Sequence, residues 1–259
     1  MRTQGLDFMF DFQTTNRDRR KKKSSDSLGD TSSPLSQLKS SRIGGRLFST
    51  ESVFVKYGNV NALAGVDFKI HQGEIIFITG VSGAGKTTLL KLLGGFVEPD
   101  QGRVIRPNPK KIFTAPIFQD LKLYGDQTCE KNLNLAYDPA IYKNRREFDQ
   151  DLLELSRILG VQSRLSLKVK DANGGLKQKI AFMRAILSRP DVILADEPTA
   201  ALDFENARKM YDILNIYNVK QGLTVVWATH NKELVKKFTG RMVHMDKGRL
   251  IYSGHACFI

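Results

Sequence analysis

Cysteine is scarce in this sequence, and long uncharged apolar runs are absent. The 2 cysteines, Cys129 and Cys257, lie far apart without metal-ligand spacing, so we expect neither a disulfide nor a zinc site and favour a reducing compartment. No segment approaches the roughly 18 apolar residues that a membrane-spanning helix needs. Any association with a membrane is therefore expected to use a surface of the protein or a partner.

Acidic residues are also few in comparison with basic ones. The 259 residues contain 40 Lys and Arg against 27 Asp and Glu, which gives a net charge of +13. Such an excess indicates an anionic partner, and nucleotides, lipid headgroups and nucleic acids all qualify. The length is enough for one domain with a full core and an appendage.

Residues 1–46 are predicted to form a disordered basic tail, because they are rich in Ser, Thr and charge and show no sustained periodicity. Six basic residues lie between positions 17 and 23, and the apolar stretch 6–12 precedes them. This combination suits the interface of an anionic bilayer, and a solvated tail is equally compatible with it. Aspartates within the first part of the tail argue against a signal peptide.

Residues 80–87 read GVSGAGKT, which matches the phosphate-binding loop G-x-x-x-x-G-K-[ST] at every fixed position. The β-branched run at 75–79 predicts a buried strand before the loop, and the residues after it predict a helix. In this setting backbone N–H groups surround phosphate oxygens, Lys86 reaches the β- and γ-phosphates, and the Thr87 hydroxyl ligates Mg²⁺. The predicted nucleotide contacts are Gly80, Ser82, Gly83, Ala84, Gly85, Lys86, Thr87 and Thr88.

From about residue 47 onward, apolar periodicity predicts an α/β fold. Strands are expected at residues 53–57, 62–70, 75–79, 111–115, 192–195, 223–228, 242–245 and 250–252. Helices are expected after the loop, at 205–217 and at 232–238, and a mostly helical stretch is expected from about 128 to 187. Residues 99–102, PDQG, predict a turn.

Residues 192–199, VILADEPT, are four apolar residues followed by two carboxylates. A buried strand presents such carboxylates at the end where ligands collect in α/β sheets, which argues against a solvated turn. The stretch resembles the Walker B motif of the ABC-type ATPases. Further motifs lie in the order of that family: Gln119 in IFQD, Asn173-Gly174-Gly175, Ala201-Leu202-Asp203 and Thr229-His230.

This resemblance covers residues from about 47 to 252 and implies a fold class. The expected structure is α/β, a P-loop NTPase of the ABC nucleotide-binding type, with a mixed sheet core, an antiparallel β part and a helical subdomain. The domain is expected to span residues 47–259, with the helical subdomain at about 120–188.

The resemblance also implies a role for each residue. Asp196, Thr87 and Gln119 are expected to hold Mg²⁺, and Glu197 to orient or deprotonate the attacking water. Contact with the γ-phosphate is expected of His230. An aromatic residue at a strand end often serves packing alone, but Tyr57 aligns with the family's adenine-stacking position. The implied catalytic residues are Lys86, Gln119, Glu197 and His230, and the added nucleotide contacts are Tyr57, Asn173, Gly174, Gly175 and Asp203.

The signature segment departs from the family pattern. Where members usually carry LSGGQ, this chain has Ala172-Asn173-Gly174-Gly175-Leu176. The segment is expected to begin a helix and to face the γ-phosphate of ATP held by the opposite subunit. Asn173 can cap that helix and offer an amide donor, whereas Leu176 has no polar atom. Slow hydrolysis, or dependence on a heterodimeric partner with a better signature, follows as an expectation.

Within the family, the sequences of these motifs resemble those of the cell-division ATPases of the FtsE type. That resemblance implies a homodimer closed by an ATP sandwich, an FtsX-like or other membrane permease subunit as partner, and a peripheral position on the cytoplasmic face of the inner membrane. The alternatives are the ATPase subunit of an exporter or lipoprotein-release system, and a slow-hydrolysing nucleotide switch. A nucleic-acid partner is disfavoured, because tandem ATPase domains, a coiled-coil insert and a zinc module are all absent from the sequence.

Overall fold

The computed structural model describes residues 44–255. The prediction of a disordered tail falls almost entirely on residues 1–43, which lie outside the described residues. At the boundary, Gly44 N–H donates to Gln72 O, and Gln72 N–H donates to Gly45 O, both at 3.2 Å. The folded domain therefore begins slightly before the predicted residue 47, because these glycines already pair with the chain that follows the second strand.

Strands and helices alternate along the described chain. The strands are β1 (Arg46–Tyr57), β2 (Val60–His71), β3 (Ile75–Thr79), β4 (Gln101–Ile105), β5 (Thr114–Ile117), β6 (Val192–Asp196), β7 (Thr224–Thr229), β8 (Arg241–Asp246) and β9 (Arg249–His255). The helices are α1 (Lys86–Leu93), α2 (Cys129–Asn134), α3 (Arg145–Ile158), α4 (Gly174–Leu187), α5 (Phe204–Gln221) and α6 (Lys232–Val235). Single turns of 3₁₀ helix lie at Gln162–Arg164 and Val169–Asp171.

The larger sheet of the described domain has the strand order β5-β6-β7-β3-β8-β9. Its strands are parallel from β5 to β8, and β9 pairs antiparallel with β8. Every residue of β6 and β7 is buried, as expected for parallel strands that are covered on both faces. Parallel pairing places the carboxyl ends of β3, β6 and β7 along one edge of the sheet, so the loops that follow these strands meet there.

Apolar side chains cover both faces of this sheet, because successive strand residues point to opposite sides. On one face Phe77 and Trp227 pack with side chains from α3, α4 and α5. On the other face Ile76 and Ile78 pack with α1 and with the strands β1 and β2. The alternation along β3 thus anchors the phosphate-binding loop between two packed layers.

The second sheet is antiparallel and has the order β2-β1-β4. The predicted turn at 99–102 is wrong in part, because Gln101 and Gly102 open β4, where Gln101 pairs with Phe54 of β1. Gly102 has φ +88, and a Cβ there would lie 2.3 Å from Ser52 O. This glycine serves the close approach of β4 to an irregular part of β1 rather than a turn.

The strand predicted at residues 111–115 begins later, at Thr114. Asn108 holds the preceding residues in a turn, since its backbone oxygen accepts from Lys111 N and Ile112 N at 2.9 and 3.0 Å. Its side chain accepts from Lys110 N at 2.9 Å. An asparagine that satisfies three N–H groups competes with strand formation, which explains the shift.

The region expected to be helical, residues 128–187, contains α2, α3, α4 and the two 3₁₀ turns. The end of α4 is joined to α3 by Arg189, whose guanidinium lies 2.8 Å from Glu147 and 2.9 Å from Asp151. It also lies 4.0 Å from the centre of the Tyr142 ring. Burial raises the pKa of Asp151, and the neighbouring Arg189 opposes this shift.

Within residues 44–255, no helix combines the length and the apolar character that a bilayer crossing would require.

Candidate functional site

A cleft of about 980 Å³ lies at the edge of the sheet where β3, β6 and β7 end. It is lined by residues from all three following loops and from the segment after β5. The predicted site residues among them are Gly80, Ser82, Gly83, Gly85, Lys86, Thr87, Thr88, Gln119, Asp196, Glu197 and His230. The structure therefore brings together residues that are up to 150 positions apart in the chain.

The phosphate-binding loop has no space for side chains at two of its glycines. A Cβ at Gly80 would lie 2.4 Å from Met245 O, and a Cβ at Gly85, where φ is +102, would lie 2.4 Å from Ala62 O. Ala84, which is also part of the loop, is buried. Lys86 Nζ donates to Gly80 O at 2.8 Å and to Val81 O at 3.0 Å. The ammonium group is thus held across the loop, where backbone N–H groups can receive an anion.

Thr87 and Asp196 form the link between the loop and β6. The Thr87 hydroxyl donates to Asp196 Oδ2 at 2.6 Å. Burial raises the pKa of Asp196, the Thr87 hydrogen bond opposes that shift, and the nearby Glu197 carboxylate adds to it. The other oxygen, Asp196 Oδ1, is buried and has no hydrogen-bond partner among the described residues.

This pair of groups fits a hard divalent cation such as Mg²⁺. A hydroxyl oxygen and a free carboxylate oxygen are ligands that Mg²⁺ accepts, with the remaining positions taken by water and phosphate. Gln119 lines the same cleft. In residues 44–255 there is no cluster of three or more His, Cys, Asp or Glu that could form an all-protein metal cage. The residues present therefore suit a cation that arrives with a nucleotide.

Glu197 and His230 are in contact at the end of β6 and β7. Glu197 Oε1 accepts from the backbone N–H of His230 at 2.7 Å and lies 2.7 Å from His230 Nδ1. Its Oε2 accepts from the Thr229 hydroxyl at 3.0 Å. Glu197 adopts a left-handed backbone conformation with φ +50, which is uncommon for a residue with a side chain and marks stored strain.

Tyr57 lies beside the cleft rather than among the residues that line it. It ends β1, is 52% exposed, and pairs across the hairpin with Val60. Val60 and Ala62 of β2 line the cleft, as does Val81 of the loop. Val60 and Val81 are 67% and 64% exposed. Together with Tyr57 they form an apolar rim of the cleft. Of these three residues, the sequence predicted only Tyr57 as a nucleotide contact.

The signature residues and Asp203 lie in a different place. A second concave region of about 420 Å³ is lined by Asn173, Gly175 and Asp203. Asn173 caps α4 as predicted, since its Oδ1 accepts from Leu176 N at 2.8 Å. Its side-chain amide nitrogen has no hydrogen-bond partner among the described residues. Gly174 begins α4 directly behind this cap.

Asp203 begins the next helix on the same face. Its carboxylate accepts from Asn206 N at 2.8 Å, and this hydrogen bond holds the pKa of Asp203 below its ordinary value. The predicted nucleotide contacts are therefore divided between two surfaces of one chain, with the phosphate-binding loop on one and the signature on the other.

Two polar residues of the cleft were missed by the sequence reasoning. Lys232 lies two positions after His230, and Gln178 lies three positions after Gly175. Gln178 Nε2 donates to Glu197 O at 3.3 Å, and Gln178 Oε1 accepts from Ala201 N at 2.9 Å. The helical period from the cap at Asn173 was the one signal that pointed to Gln178, since it places residues 174 and 178 on one face of α4.

The sequence is similar to ATP-binding proteins that serve different systems. The methionine import ATP-binding protein of Bradyrhizobium diazoefficiens is 33% identical over 212 residues, which are 77% of this chain and 61% of that protein. FtsE, the cell division ATP-binding protein of Streptococcus pneumoniae, is 31% identical over 218 residues, 79% of this chain and 94% of that protein. For LolD, the lipoprotein-releasing system ATP-binding protein of Bacteroides thetaiotaomicron, the identity is 33% over 218 residues, 79% of this chain and 99% of that protein.

The fold is similar to that of solved ATP-binding cassettes. One is the dimeric cassette MJ0796 in a post-hydrolysis state bound to ADP and Pi, with a TM-score of 0.70 and 27% identity over 82% of this chain and 100% of that chain. The model of the ABC transporter family matches residues 63–200. These likenesses confirm the predicted fold class and the resemblance to the ABC-type ATPases. The chain belongs to the ABC transporter family and is an ATP-binding, ATP-hydrolysing domain of that family.

Proposed function

We propose that this chain is the ATPase subunit of an FtsEX-like ABC complex, in which ATP-driven dimerisation acts on a membrane partner in cell division. ATP-driven dimerisation is supported by one observation: the predicted nucleotide contacts lie on two different surfaces of the chain. If each of two copies offers its loop to one nucleotide and its signature to the other, both surfaces are used. The partner is an FtsX-like membrane protein, and the complex lies at the cytoplasmic face of the inner membrane.

Two observations on the relatives bear on the cellular role. FtsE is 31% identical to this chain over 79% of the chain's residues, which supports the division role as the first candidate. LolD, at 33% identity and 99% coverage, supports lipoprotein release as the second candidate. For either role we propose a separate permease chain that receives the movement of the ATPase.

The site residues have the following proposed roles. Lys86 and the loop N–H groups hold the β- and γ-phosphates. Thr87, Asp196 and Gln119 hold Mg²⁺, which neutralises phosphate charge when it is bound. Glu197 orients the attacking water and accepts its proton. His230, held by the Glu197 carboxylate, donates to the γ-phosphate.

The remaining residues of the site bind the rest of the nucleotide. Tyr57 stacks on adenine, and the apolar rim formed with Val60 and Val81 excludes water from that contact. Asn173, Gly174, Gly175 and Asp203 contact the nucleotide held by a second copy. The free amide nitrogen of Asn173 takes the place of the usual serine hydroxyl in that contact.

The identity of the membrane partner distinguishes the two proposed cellular roles. A tagged Glu197→Gln variant, isolated from membranes of its own organism in ATP and Mg²⁺, is expected to retain its permease, because the ATP-bound form persists without hydrolysis. Mass spectrometry should identify an FtsX-like four-helix membrane protein. Recovery of a lipoprotein-release permease instead would overturn the division role and favour the second candidate.

Two substitutions in the cleft should have opposite effects on dimerisation. Lys86→Ala is expected to abolish ATP-dependent dimers, because it removes the phosphate-binding ammonium group. Glu197→Gln is expected to trap the ATP-bound dimer, because it spares the phosphate contacts and removes the group that acts on water. Size-exclusion chromatography with ATP and Mg²⁺ measures both, with Lys110→Ala, an exposed lysine outside the cleft, as the control. If Glu197→Gln stayed monomeric while the parent dimerised, the role of Glu197 would be wrong.

Restoring the family signature should raise turnover. The double variant Asn173→Ser, Leu176→Gln supplies the usual polar atoms, and the effect of one missing transition-state donor sets an upper limit of roughly 10²–10³-fold. A smaller gain is expected, because the Asn173 amide nitrogen is already free to donate. Phosphate release at saturating ATP is the measurement. Leu176→Met, which keeps the volume and adds no donor, should leave the rate unchanged, and no gain in the double variant would mean that Asn173 and Leu176 already suit this site.

The basic cluster of the tail is proposed to bind anionic lipid. In the full chain, glutamine in place of Arg17, Arg19, Arg20, Lys21, Lys22 and Lys23 should remove up to about 1 kcal/mol of binding per residue at low salt. Co-sedimentation with vesicles that contain phosphatidylserine is expected to fall for the variant, and for the parent as salt is added. Neutral vesicles are the control, and equal binding of the two proteins to anionic vesicles would exclude this role.

A further inference from the structure

Gln178 makes two hydrogen bonds to the turn that connects the proposed catalytic carboxylate with Asp203. Its side-chain nitrogen donates to Glu197 O at 3.3 Å, and its side-chain oxygen accepts from Ala201 N at 2.9 Å. Both atoms of one carboxamide are thus used, at the two ends of a short stretch of backbone. Gln178 lies on α4, the helix that begins at the signature.

The backbone of Glu197 needs external support. With φ +50, it occupies a conformation that persists only when neighbouring groups hold it. Glu197 N donates to Ala228 O at 2.9 Å, which ties the residue to β7, and Glu197 O accepts from Ala200 N at 3.1 Å. Gln178 supplies the second hydrogen bond to Glu197 O. Since the backbone conformation sets the direction of the side chain, these bonds also direct the carboxylate toward His230.

The start of α4 is packed directly on the same turn. A Cβ at Gly174 would lie 3.2 Å from Ala201 Cβ, and a Cβ at Gly175 would lie 3.0 Å from Ala201 O. Larger residues at either position would push the helix away from the turn. The close approach at the glycines and the carboxamide one turn later therefore hold α4 against residues 197–201 at two levels.

We propose that Gln178 is a positioning residue that makes the orientation of the signature helix control the orientation of Glu197. This inference rests on the proposed role of Glu197 in hydrolysis. When α4 is seated on the turn, both hydrogen bonds form, Glu197 keeps its left-handed conformation and Asp203 stays in place at the start of α5. When α4 moves relative to the sheet, the carboxamide leaves the turn, the Ala201 N–H loses its acceptor and the Glu197 carboxylate is no longer directed at the attacking water. A second copy that contacts the signature thus acts on the same helix that carries Gln178.

The first test separates binding from turnover. Gln178→Met keeps the length of the side chain and removes both hydrogen bonds, so kcat is expected to fall about 10- to 100-fold, the size of effect that a small misplacement of a catalytic group produces. The affinity of monomeric Gln178→Met for ATP, measured by fluorescence titration, should differ from that of the parent by less than about twofold, because Lys86 and the loop are untouched. Gln150→Met, at an exposed position of α3, is the matched control and should match the parent.

The second test uses protonation to restore the missing donor. Gln178→Glu keeps an acceptor for Ala201 N–H but can donate to Glu197 O only when its carboxyl group is protonated. Its rate divided by that of the parent should therefore rise as the pH is lowered from about 8 to about 6. Glu197, Asp196, His230 and Lys232 line the same cleft and are the charged groups that the new carboxyl group would face. A role in packing alone gives a ratio that does not change with pH.

These two tests can refute the role of Gln178 without refuting the proposed function. A kcat of Gln178→Met equal to that of the parent, or a ratio for Gln178→Glu that is flat with pH, would overturn the role of Gln178. If Gln178→Met does not fold, the Gln178→Glu ratio alone decides. A parent protein that binds ATP without any turnover would instead overturn the ATPase function itself, whatever the variants do.

Discussion

The hydrogen bond from Thr87 to Asp196 joins two residues that are 109 positions apart, and much of the structure serves to bring them within 2.6 Å. Thr87 is held by α1, which is anchored by the glycine loop after β3. Asp196 is the last residue of β6, a strand in which every side chain is buried. Because β7 lies between β3 and β6, the distance between the two groups depends on the register of all three parallel strands. A slip in either pairing would separate the hydroxyl from the carboxylate.

The chemistry of the cleft follows from this packing. Two adjacent carboxylates lie at the end of a buried strand, where the low local dielectric makes their charge costly. Burial raises the pKa of Asp196 and leaves one of its oxygens without a partner in the described chain. Glu197, in contrast, has hydrogen bonds from Thr229 and His230 to both oxygens. One carboxylate is therefore available to a cation and the other is directed by its neighbours, which is a division of roles between two chemically similar groups.

The helix α4 connects the two surfaces of the domain. Its first residues carry the signature cap, its first glycines contact the turn after β6, and Gln178 reaches the backbone of Glu197. The polar contacts that a second copy would meet and the contacts that hold the proposed catalytic carboxylate are thus carried by one short helix. An element of this kind transmits a change of contact as a change of orientation, because a packed helix moves as a unit.

Much of the fold follows from local patterns in the sequence. The continuous apolar runs predicted the central strands because parallel strands are buried on both faces, and the glycine loop was recognisable because its spacing is set by phosphate geometry. The wrong predictions concern residue types that occur in more than one kind of local structure. Gly102 looks like a turn residue, yet it admits the neighbouring strand β1 at a place where a Cβ would collide with Ser52 O. Asn108 delays β5 through hydrogen bonds that the sequence pattern does not reveal.

The sequence by itself determined which chemical groups are present and which local elements carry them: a lysine after a glycine loop, two carboxylates after a buried strand, and a histidine after another. These properties depend on neighbours within a few positions, and short motifs record them. The tertiary structure decided which groups meet. It placed Lys86, Asp196 and Glu197 in one cleft and Asn173 and Asp203 on another surface. It also brought Gln178 to the strained backbone of Glu197, a contact that arises from the packing of α4 on a turn and that the helical period of α4 alone does not reveal.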